Sequence, residues 1–245
     1  MTFKPKRILV IDIGGSHVKL LATGQRRPIK IASGPGMTPA EMVADVRAAT
    51  AHWEYDAVSM GYPGPVIKDA PSAEPSHLGA GWVGFSFAEA FERPIRIRND
   101  AAMQALGGYR GGRMLFLGLG TGLGSAIVIE GHLQPLELAH LPYRKRKTFE
   151  EYVGEASLAR RGKNRWRRYV IDVVTRLKNA TQVDHVLLGG GNARHFRQQL
   201  ARLPEGTRIG GNADAFRGGI RLWLTADERV TAGRQVARSS RARSA

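Results

Sequence analysis

Cysteine is absent from the 245 residues of this chain, which excludes disulfides and thiolate metal sites. Long hydrophobic runs are absent as well. The longest uncharged stretch, residues 114–129, is rich in glycine and shorter than the roughly 20 residues of a membrane span. The apolar run near the N-terminus, Ile8–Ile11, is too short for a signal peptide. These absences predict a cytoplasmic protein with no membrane partner.

Acidic residues are few beside basic ones, 21 against 37, and the formal net charge is +16. Ten Lys and Arg against three Glu lie in Tyr143–Arg168, and five Arg against two acidic residues lie in 226–245. A basic surface favours polyanions such as nucleic acid, polyphosphate or anionic lipid. A solvated basic face without a dedicated partner explains the same charge. Because residues 226–245 lack apolar periodicity, we expect a basic, disordered tail there.

The pair Asn99-Asp100 stands where an apolar run gives way to a stretch of small residues. An Asp at a helix start can simply accept first-turn N–H groups, which is its structural explanation. A second pattern follows, however, because residues 118–124 carry four glycines between two apolar runs. Glycine lets backbone N–H groups approach an anion closely. A carboxylate followed by a phosphate-cradling turn suits phosphoryl transfer to a hydroxyl group.

The order of elements repeats along the chain. A strand, a glycine turn and a second strand occur at residues 7–22 and again at 114–129, and in each half a helix and a further strand follow. This repetition predicts two α/β lobes, residues 1–98 and 99–225, with the last helix packing back on the first lobe. Two glycine turns facing one another across a cleft would hold one phosphate chain.

With these motifs the chain resembles the ROK sugar kinases, and most closely their polyphosphate glucokinase branch. The resemblance runs from Ile8 to Trp223 and rests on six motifs in order: residues 12–19, 61–64, 99–102, 118–124, 137–140 and 189–191. It implies an α/β fold of the two-lobed, actin-like ATPase (ribonuclease H-like) type with a central cleft. It also implies a homodimer.

The resemblance further implies a role for individual residues. Asp100 matches the catalytic base, and Asp12 matches the carboxylate that faces Mg²⁺ through water. The residues that match sugar-binding positions are Gly64, His77, Asn99, Asp100, Glu137 and His140. The residues that match phosphate- or cofactor-binding positions are Asp12, Gly14, Gly15, Ser16, His17, Lys19, Gly120, Thr121, Gly122, Gly190 and Gly191. Simpler explanations stay open: Asp12 as a turn cap, His140 as a structural histidine, and Gly189–Gly191 as a plain strand-to-helix turn.

The chain departs from the family pattern in three places. Many ROK proteins carry a cysteine-rich zinc motif, which a chain without cysteine cannot form, so we expect no zinc. Ala139 stands where the family has the glycine of its Glu-x-Gly-His motif, and His77 stands where it has a sugar-contacting Asn. Since histidine is bulkier than asparagine, the His77 difference bears on which sugar is accepted.

The resemblance implies a kinase that phosphorylates the 6-hydroxyl of glucose or a close hexose with polyphosphate, ATP or both, and Mg²⁺. The basic segment Arg144–Arg168 is the candidate track for polyphosphate. The alternative is a non-catalytic ROK-like regulator that binds sugar or polyanions. Regulators of the family carry a helix-turn-helix before the first strand, and only seven residues precede Ile8, so we expect no sequence-specific nucleic-acid binding.

Overall fold

The structure is a computed structural model that describes residues 3–211 and 213–242, without the side chains of residues 238–242. Its strands are β1 (Ile8–Ile13), β2 (His17–Ala22), β3 (Ile29–Ala32), β4 (Ala57–Tyr62), β5 (Val66–Ile67), β6 (Ala70–Pro71), β7 (Ile95–Asn99), β8 (Arg113–Leu119), β9 (Leu123–Ile129), β10 (His132–Leu136), β11 (Pro142–Arg144), β12 (Lys147–Thr148), β13 (His185–Gly189) and β14 (Thr207–Ile209). Its α-helices are α1 (Pro39–Ala49), α2 (Phe87–Phe91), α3 (Asp100–Gly108), α4 (Glu150–Val153), α5 (Glu155–Arg161), α6 (Lys163–Thr181), α7 (Ala213–Arg221) and α8 (Ala226–Ala242). Two 3₁₀ helices cover Gly191–Phe196 and Leu200–Arg202.

The chain divides into two units. The first unit comprises Met1–Met103 and Ala215–Leu224, and the second comprises Gln104–Asp214 and Thr225–Ala245. The division therefore falls inside α3, a few residues after the boundary at 98/99 that the sequence suggested. Residues 215–224 belong to the first unit although they lie between the two segments of the second unit in sequence.

The first unit is built on a five-stranded sheet in the order β3-β2-β1-β4-β7. Strands β1, β2 and β3 pair antiparallel, whereas β1, β4 and β7 pair parallel. Every residue of β1 and β4 is buried, as a central strand covered on both faces should be. Ser59 on β4 donates a hydrogen bond to the carbonyl of Gly219 at 2.7 Å, which ties α7 to this sheet.

The second unit repeats that pattern with the order β10-β9-β8-β13-β14. Strands β8, β9 and β10 pair antiparallel, and β8, β13 and β14 pair parallel. The prediction of two α/β lobes of similar order is confirmed at the level of sheet topology. In each sheet the first strand in sequence occupies the centre and ends at a glycine turn.

Helix α6 shows how the second unit divides apolar from basic residues. Its buried side chains recur at helical spacing and pack in the core of the unit: Trp166, Val170, Val173, Val174 and Leu177. The Trp166 indole donates a hydrogen bond to the carbonyl of Val153 at 2.8 Å. Basic residues such as Arg165 and Arg168 occupy the exposed face. The core therefore fixes the position of this basic face.

The expected disorder of residues 226–245 is wrong for the part that the structure describes, because α8 extends over Ala226–Ala242. The helix begins with a reciprocal cap: the Thr225 N–H donates to the Glu228 carboxylate, and the Glu228 N–H donates to the Thr225 hydroxyl. Arg229 also donates to the carbonyl of Gly131 at 3.1 Å. A local cap and tertiary contacts thus replace the missing apolar periodicity.

Within the described ranges no helix combines the length and the apolar character that crossing a membrane requires.

Candidate active site

Asp100 lies at the start of α3, directly after Asn99 at the end of β7. The Asn99 side-chain oxygen accepts hydrogen bonds from the N–H groups of Ala101 at 3.0 Å and Ala102 at 3.3 Å. The Asn99 amide donates to the carbonyl of Gly64 at 3.1 Å. Asn99 therefore caps the helix, and the capping explanation that applied to Asp100 belongs mainly to its neighbour.

One oxygen of Asp100 accepts the Ala101 N–H at 2.7 Å. Among the described residues, no donor is found within hydrogen-bonding distance of its second oxygen, Oδ2. A Cβ added to Gly61 would lie 2.4 Å from the Met103 methyl carbon and 3.6 Å from the Asp100 Cα. The glycine on β4 is thus what lets α3 begin so close to the sheet. Asp100 is held rigidly and keeps one carboxylate oxygen available.

The surroundings of Asp100 raise its pKa to about 7. Desolvation by burial is the largest cause, followed by the negative charge of Asp12, while the Ala101 N–H and the Lys19 ammonium act in the opposite direction. Burial also raises the pKa of Asp12, whose Oδ2 lies 3.3 Å from the Lys19 ammonium. A carboxyl group with a pKa near neutrality can accept and return a proton at physiological pH.

We expect Asp100 to titrate near pH 7 in metal-free protein, measured by carbon-13 NMR of the aspartate side chains and assigned with Asp100→Asn. Lys19→Met should move the titration to higher pH, because it removes a cation that favours the ionised form. Asp12→Asn should move it to lower pH, because it removes a neighbouring negative charge. A titration near pH 4 in the wild type would contradict this account.

The turn after β1 carries the glycines that match the first phosphate-binding motif, and His77 lies against it. The Gly14 N–H donates to the carbonyl of His17 at 3.0 Å, and the Ser33 hydroxyl donates to the carbonyl of Gly14 at 2.6 Å. A Cβ on Gly15 would lie 3.2 Å from the Cβ of His77. The long segment after β4 therefore brings His77 against this turn. His77 is exposed there and can reach a ligand.

The second glycine turn, Gly120–Gly122, joins β8 to β9. Its backbone closes through a bond from the Gly120 N–H to the carbonyl of Gly122 at 3.2 Å. The Glu155 N–H at the start of α5 donates to the carbonyls of Gly120 at 3.0 Å and Thr121 at 3.2 Å. Contacts from α5 thus fix the shape of this turn.

Glu150, which opens α4, is a site residue that the sequence reasoning missed. Its carboxylate accepts the Leu123 N–H at 3.1 Å, and a Cβ on Gly122 would lie 2.1 Å from the same Oε2. Its own N–H donates to the carbonyl of Ala139 at 3.1 Å. Glu150 therefore links the glycine turn to the segment 137–140. The carboxylate occupies one backbone donor of the turn, so an anion bound there must use the others.

Neither Glu137 nor His140 lies on a helix: Glu137 directly precedes a turn, and His140 lies within it. The Leu141 N–H donates to the carbonyl of Leu138 at 3.2 Å and closes that turn, while Ala139 between the two candidates is buried. The Leu138 N–H donates to the Ser125 hydroxyl at 3.1 Å. Both candidate side chains are exposed, which is compatible with sugar binding and gives His140 no buried structural role.

Gly190 and Gly191 follow β13 in different surroundings. Gly190 has a φ of 76°, and a Cβ there would lie 2.4 Å from the carbonyl oxygen of Leu119. Gly191 has no atom within 4 Å of an added Cβ. Packing against β8 therefore accounts for the glycine at 190 without any ligand.

No group of three or more His, Cys, Asp or Glu side chains suited to a metal ion occurs in the part of the chain that the structure describes. Carboxylate oxygens are nevertheless the donors that Mg²⁺ prefers, and Asp12 offers them beside a second carboxylate, Asp100, that interacts with it electrostatically. The donor chemistry thus fits a Mg²⁺ ion that takes most of its ligands from water and a phosphate chain.

Comparison with known proteins adds independent observations. No family model matches the chain. A polyphosphate glucokinase of Mycobacterium tuberculosis H37Rv is 28% identical over 223 residues, which cover 81% of this chain and 83% of the relative. A ROK family protein from Streptococcus pneumoniae, solved with sucrose, superposes with a TM-score of 0.74 at 16% identity, covering 91% of this chain and 99% of its own. In sequence the chain is thus similar to polyphosphate glucokinases, and in fold it is similar to ROK-family proteins.

A second solved structure supports the same fold. The inorganic polyphosphate/ATP-glucomannokinase of Arthrobacter sp. strain KM superposes with a TM-score of 0.71 at 21% identity, covering 90% of this chain and 98% of its own. The chain therefore has the actin-like ATPase fold, as its sequence motifs predicted.

Proposed function

We propose that this protein is a hexose kinase of the ROK family that transfers a phosphoryl group from inorganic polyphosphate, ATP or both to the 6-hydroxyl of glucose. The observation that carries the proposal is Asp100: a rigidly held carboxyl group with one available oxygen and a pKa of about 7. The relationship to polyphosphate glucokinases supports the choice of substrates. A non-catalytic regulator would have no use for a carboxylate tuned in this way.

Asp100 acts as the general base in this proposal. It accepts the proton of the sugar 6-hydroxyl as that oxygen forms its bond to phosphorus and the bond from phosphorus to the donor oxygen breaks. Gly64, His77, Asn99, Glu137 and His140 are the proposed sugar-binding residues. The Asn99 oxygen is already bonded to Ala101 and Ala102, and one amide N–H donates to Gly64, so the second amide N–H is what Asn99 offers a sugar hydroxyl.

The proposed phosphate-binding residues of the first unit are Gly14, Gly15, Ser16, His17 and Lys19, and those of the second unit are Gly120, Thr121, Gly122, Gly190 and Gly191. Asp12 would hold Mg²⁺ through water, and a bound Mg²⁺ would neutralise charge on the donor phosphates. Lys19 beside Asp12 supplies a further positive charge. The N–H groups of Gly14 and Gly120 already donate to carbonyls of their own turns, so a phosphate chain would take its hydrogen bonds from other backbone N–H groups of the turns.

The first experiment measures glucose 6-phosphate formation by purified protein with Mg²⁺, using long-chain polyphosphate and ATP side by side. We expect activity with at least one donor. If the basic segment 144–168 holds polyphosphate, activity with that donor should fall steeply with added salt and activity with ATP should fall less. Equal salt dependence would remove the basic segment from the proposal, and inactivity with both donors and a panel of hexoses would overturn the kinase assignment.

A homodimer and a cytoplasmic location are also part of the proposal, as the family resemblance and the N-terminal sequence led us to expect. Analytical ultracentrifugation of the purified protein tests the first, and cell fractionation tests the second.

A further inference from the structure

The basic residues of Tyr143–Arg168 differ in the contacts that they make within the fold. Some of them bond to other parts of the fold: Lys147 pairs with Glu151 at 3.2 Å, and Arg167 donates to the carbonyl of His195 at 2.7 Å. Arg161 lies over the ring of Tyr152 at 4.5 Å. These contacts hold secondary-structure elements together, so their residues are poorly placed to change partners for a ligand.

Three other arginines surround a cavity of about 420 Å³ in the second unit. Arg144 comes from β11, while Arg165 and Arg168 come from neighbouring turns of α6, three residues apart and therefore on one face. Tyr169 and Asp172 complete the lining. All three arginines are exposed, and the buried side chains of α6 fix the backbone that carries two of them.

The single acidic residue of the cavity is already neutralised. Asp172 accepts hydrogen bonds from Arg144 at 3.1 Å and Arg176 at 2.9 Å, and a short one from the Tyr143 hydroxyl. Partial burial opposes these bonds, but together they keep the pKa of Asp172 below its usual value, so the carboxylate is ionised and paired. The remaining charge of the cavity is therefore positive and comes from Arg168 and from Arg165, whose side chain also hydrogen-bonds the neutral Tyr169.

The ring of Tyr169, the aromatic residue of the cavity, is already in contact with other side chains. Arg161 lies over the Tyr169 ring at 5.3 Å and Arg144 at 5.9 Å, and the Tyr152 ring meets it edge-on at 4.8 Å. Proteins that bind single-stranded nucleic acid stack bases on exposed aromatic faces. A ligand here is recognised through guanidinium groups, which match phosphate oxygens in a bidentate fork. These features favour a plain phosphate chain over a nucleic acid.

We propose that Arg165 and Arg168, in the cavity whose wall Arg144 completes, bind inorganic polyphosphate and hold phosphate units of the donor chain other than the one being transferred. This inference rests on the proposed kinase function and names the residues that recognise the donor. It makes the preference for long-chain polyphosphate depend on this cavity, whereas the use of ATP does not.

The test compares the double variant Arg165→Gln/Arg168→Gln with the control Arg197→Gln/Arg202→Gln, which removes the same charge from exposed arginines outside the basic segment. Direct binding of long-chain polyphosphate is measured at several salt concentrations without glucose. We expect the dissociation constant of the double variant to rise roughly tenfold or more, and its salt slope to fall by about two, one for each lost contact. The control should stay near the wild type.

Kinase assays supply the second arm. The KM for long-chain polyphosphate should rise in the double variant in step with the dissociation constant, while kcat and KM with ATP stay unchanged. Unchanged polyphosphate binding by the double variant, or an equal loss in the control, would overturn the proposal. Tighter binding of single-stranded RNA of matched charge, lost in the same variant, would overturn it in favour of a nucleic-acid site. If wild-type protein transfers no phosphate from polyphosphate, the assignment of polyphosphate as donor fails. The binding measurement still decides whether the cavity binds polyphosphate.

Discussion

Asp100→Asn is expected to lower kcat for phosphoryl transfer to glucose by about 10³-fold, within the 10²–10⁴ that a general base contributes. The side-chain amide has the size of the carboxyl group and can still accept the Ala101 N–H, so the start of α3 is preserved. It cannot take the hydroxyl proton. Steady-state kinetics with saturating glucose and the better donor measure the loss, and binding of the donor should be retained.

The same substitution should make the protein more stable at pH 8. A group whose pKa rises from 3.8 to about 7 on folding binds its proton more tightly in the folded state, so its ionisation costs stability as the pH rises through 7. Removing the charge should return on the order of 1–3 kcal/mol at pH 8 and little near pH 4. Asp45→Asn, an exposed carboxylate on α1, is the matched control and should change neither property.

This pairing of readouts separates catalysis from folding. Loss of activity together with a higher unfolding temperature at pH 8 cannot come from a damaged fold. Activity of Asp100→Asn within a few-fold of the wild type would show that another group takes the proton. The cost in stability is the physical counterpart of the function, because a carboxyl group becomes a useful base at neutral pH only where its charge is poorly solvated.

The features that the sequence predicted well are those that depend on residues close together in the chain. Thr38 and Glu41 form the capping box that their spacing predicts, and the glycine turns stand at the ends of the central strands β1 and β8. The Asn99-Asp100 pair was also found, although the residue that caps the helix proved to be Asn99. Local chemistry decides each of these features, so a short window of sequence is sufficient.

The features that sequence reasoning missed depend on residues far apart in the chain. Glu150 reaches Leu123 across 27 positions, and Arg144 meets Asp172 across 28. No periodicity or spacing encodes such contacts, because the fold creates them. Helix α8 was missed for a related reason: its contact with Gly131 is tertiary, and no apolar periodicity marks the helix in the sequence.

Gly190→Ala is expected to destabilise the protein by about 2–4 kcal/mol. The backbone of Gly190, with φ of 76° and ψ of 164°, lies in a region open essentially to glycine, and forcing another residue there costs about 1–3 kcal/mol. The added Cβ would also lie 2.4 Å from the Leu119 oxygen and 2.7 Å from its carbonyl carbon. Those atoms belong to the central strand β8 and cannot move aside cheaply, so overpacking adds to the cost.

Gly191→Ala is the control, since its Cβ would enter open space and its φ is not in the left-handed region. Chemical denaturation of both variants measures the free energy of unfolding, and Gly191→Ala should lie within about 0.5 kcal/mol of the wild type. If Gly190→Ala were equally stable and instead lost affinity for ATP alone, the glycine would serve the donor. The close approach to Leu119 argues for the opposite result, in which the free energy of unfolding falls. The dissociation constants of the folded protein for ATP and for polyphosphate should then either both change or both stay the same.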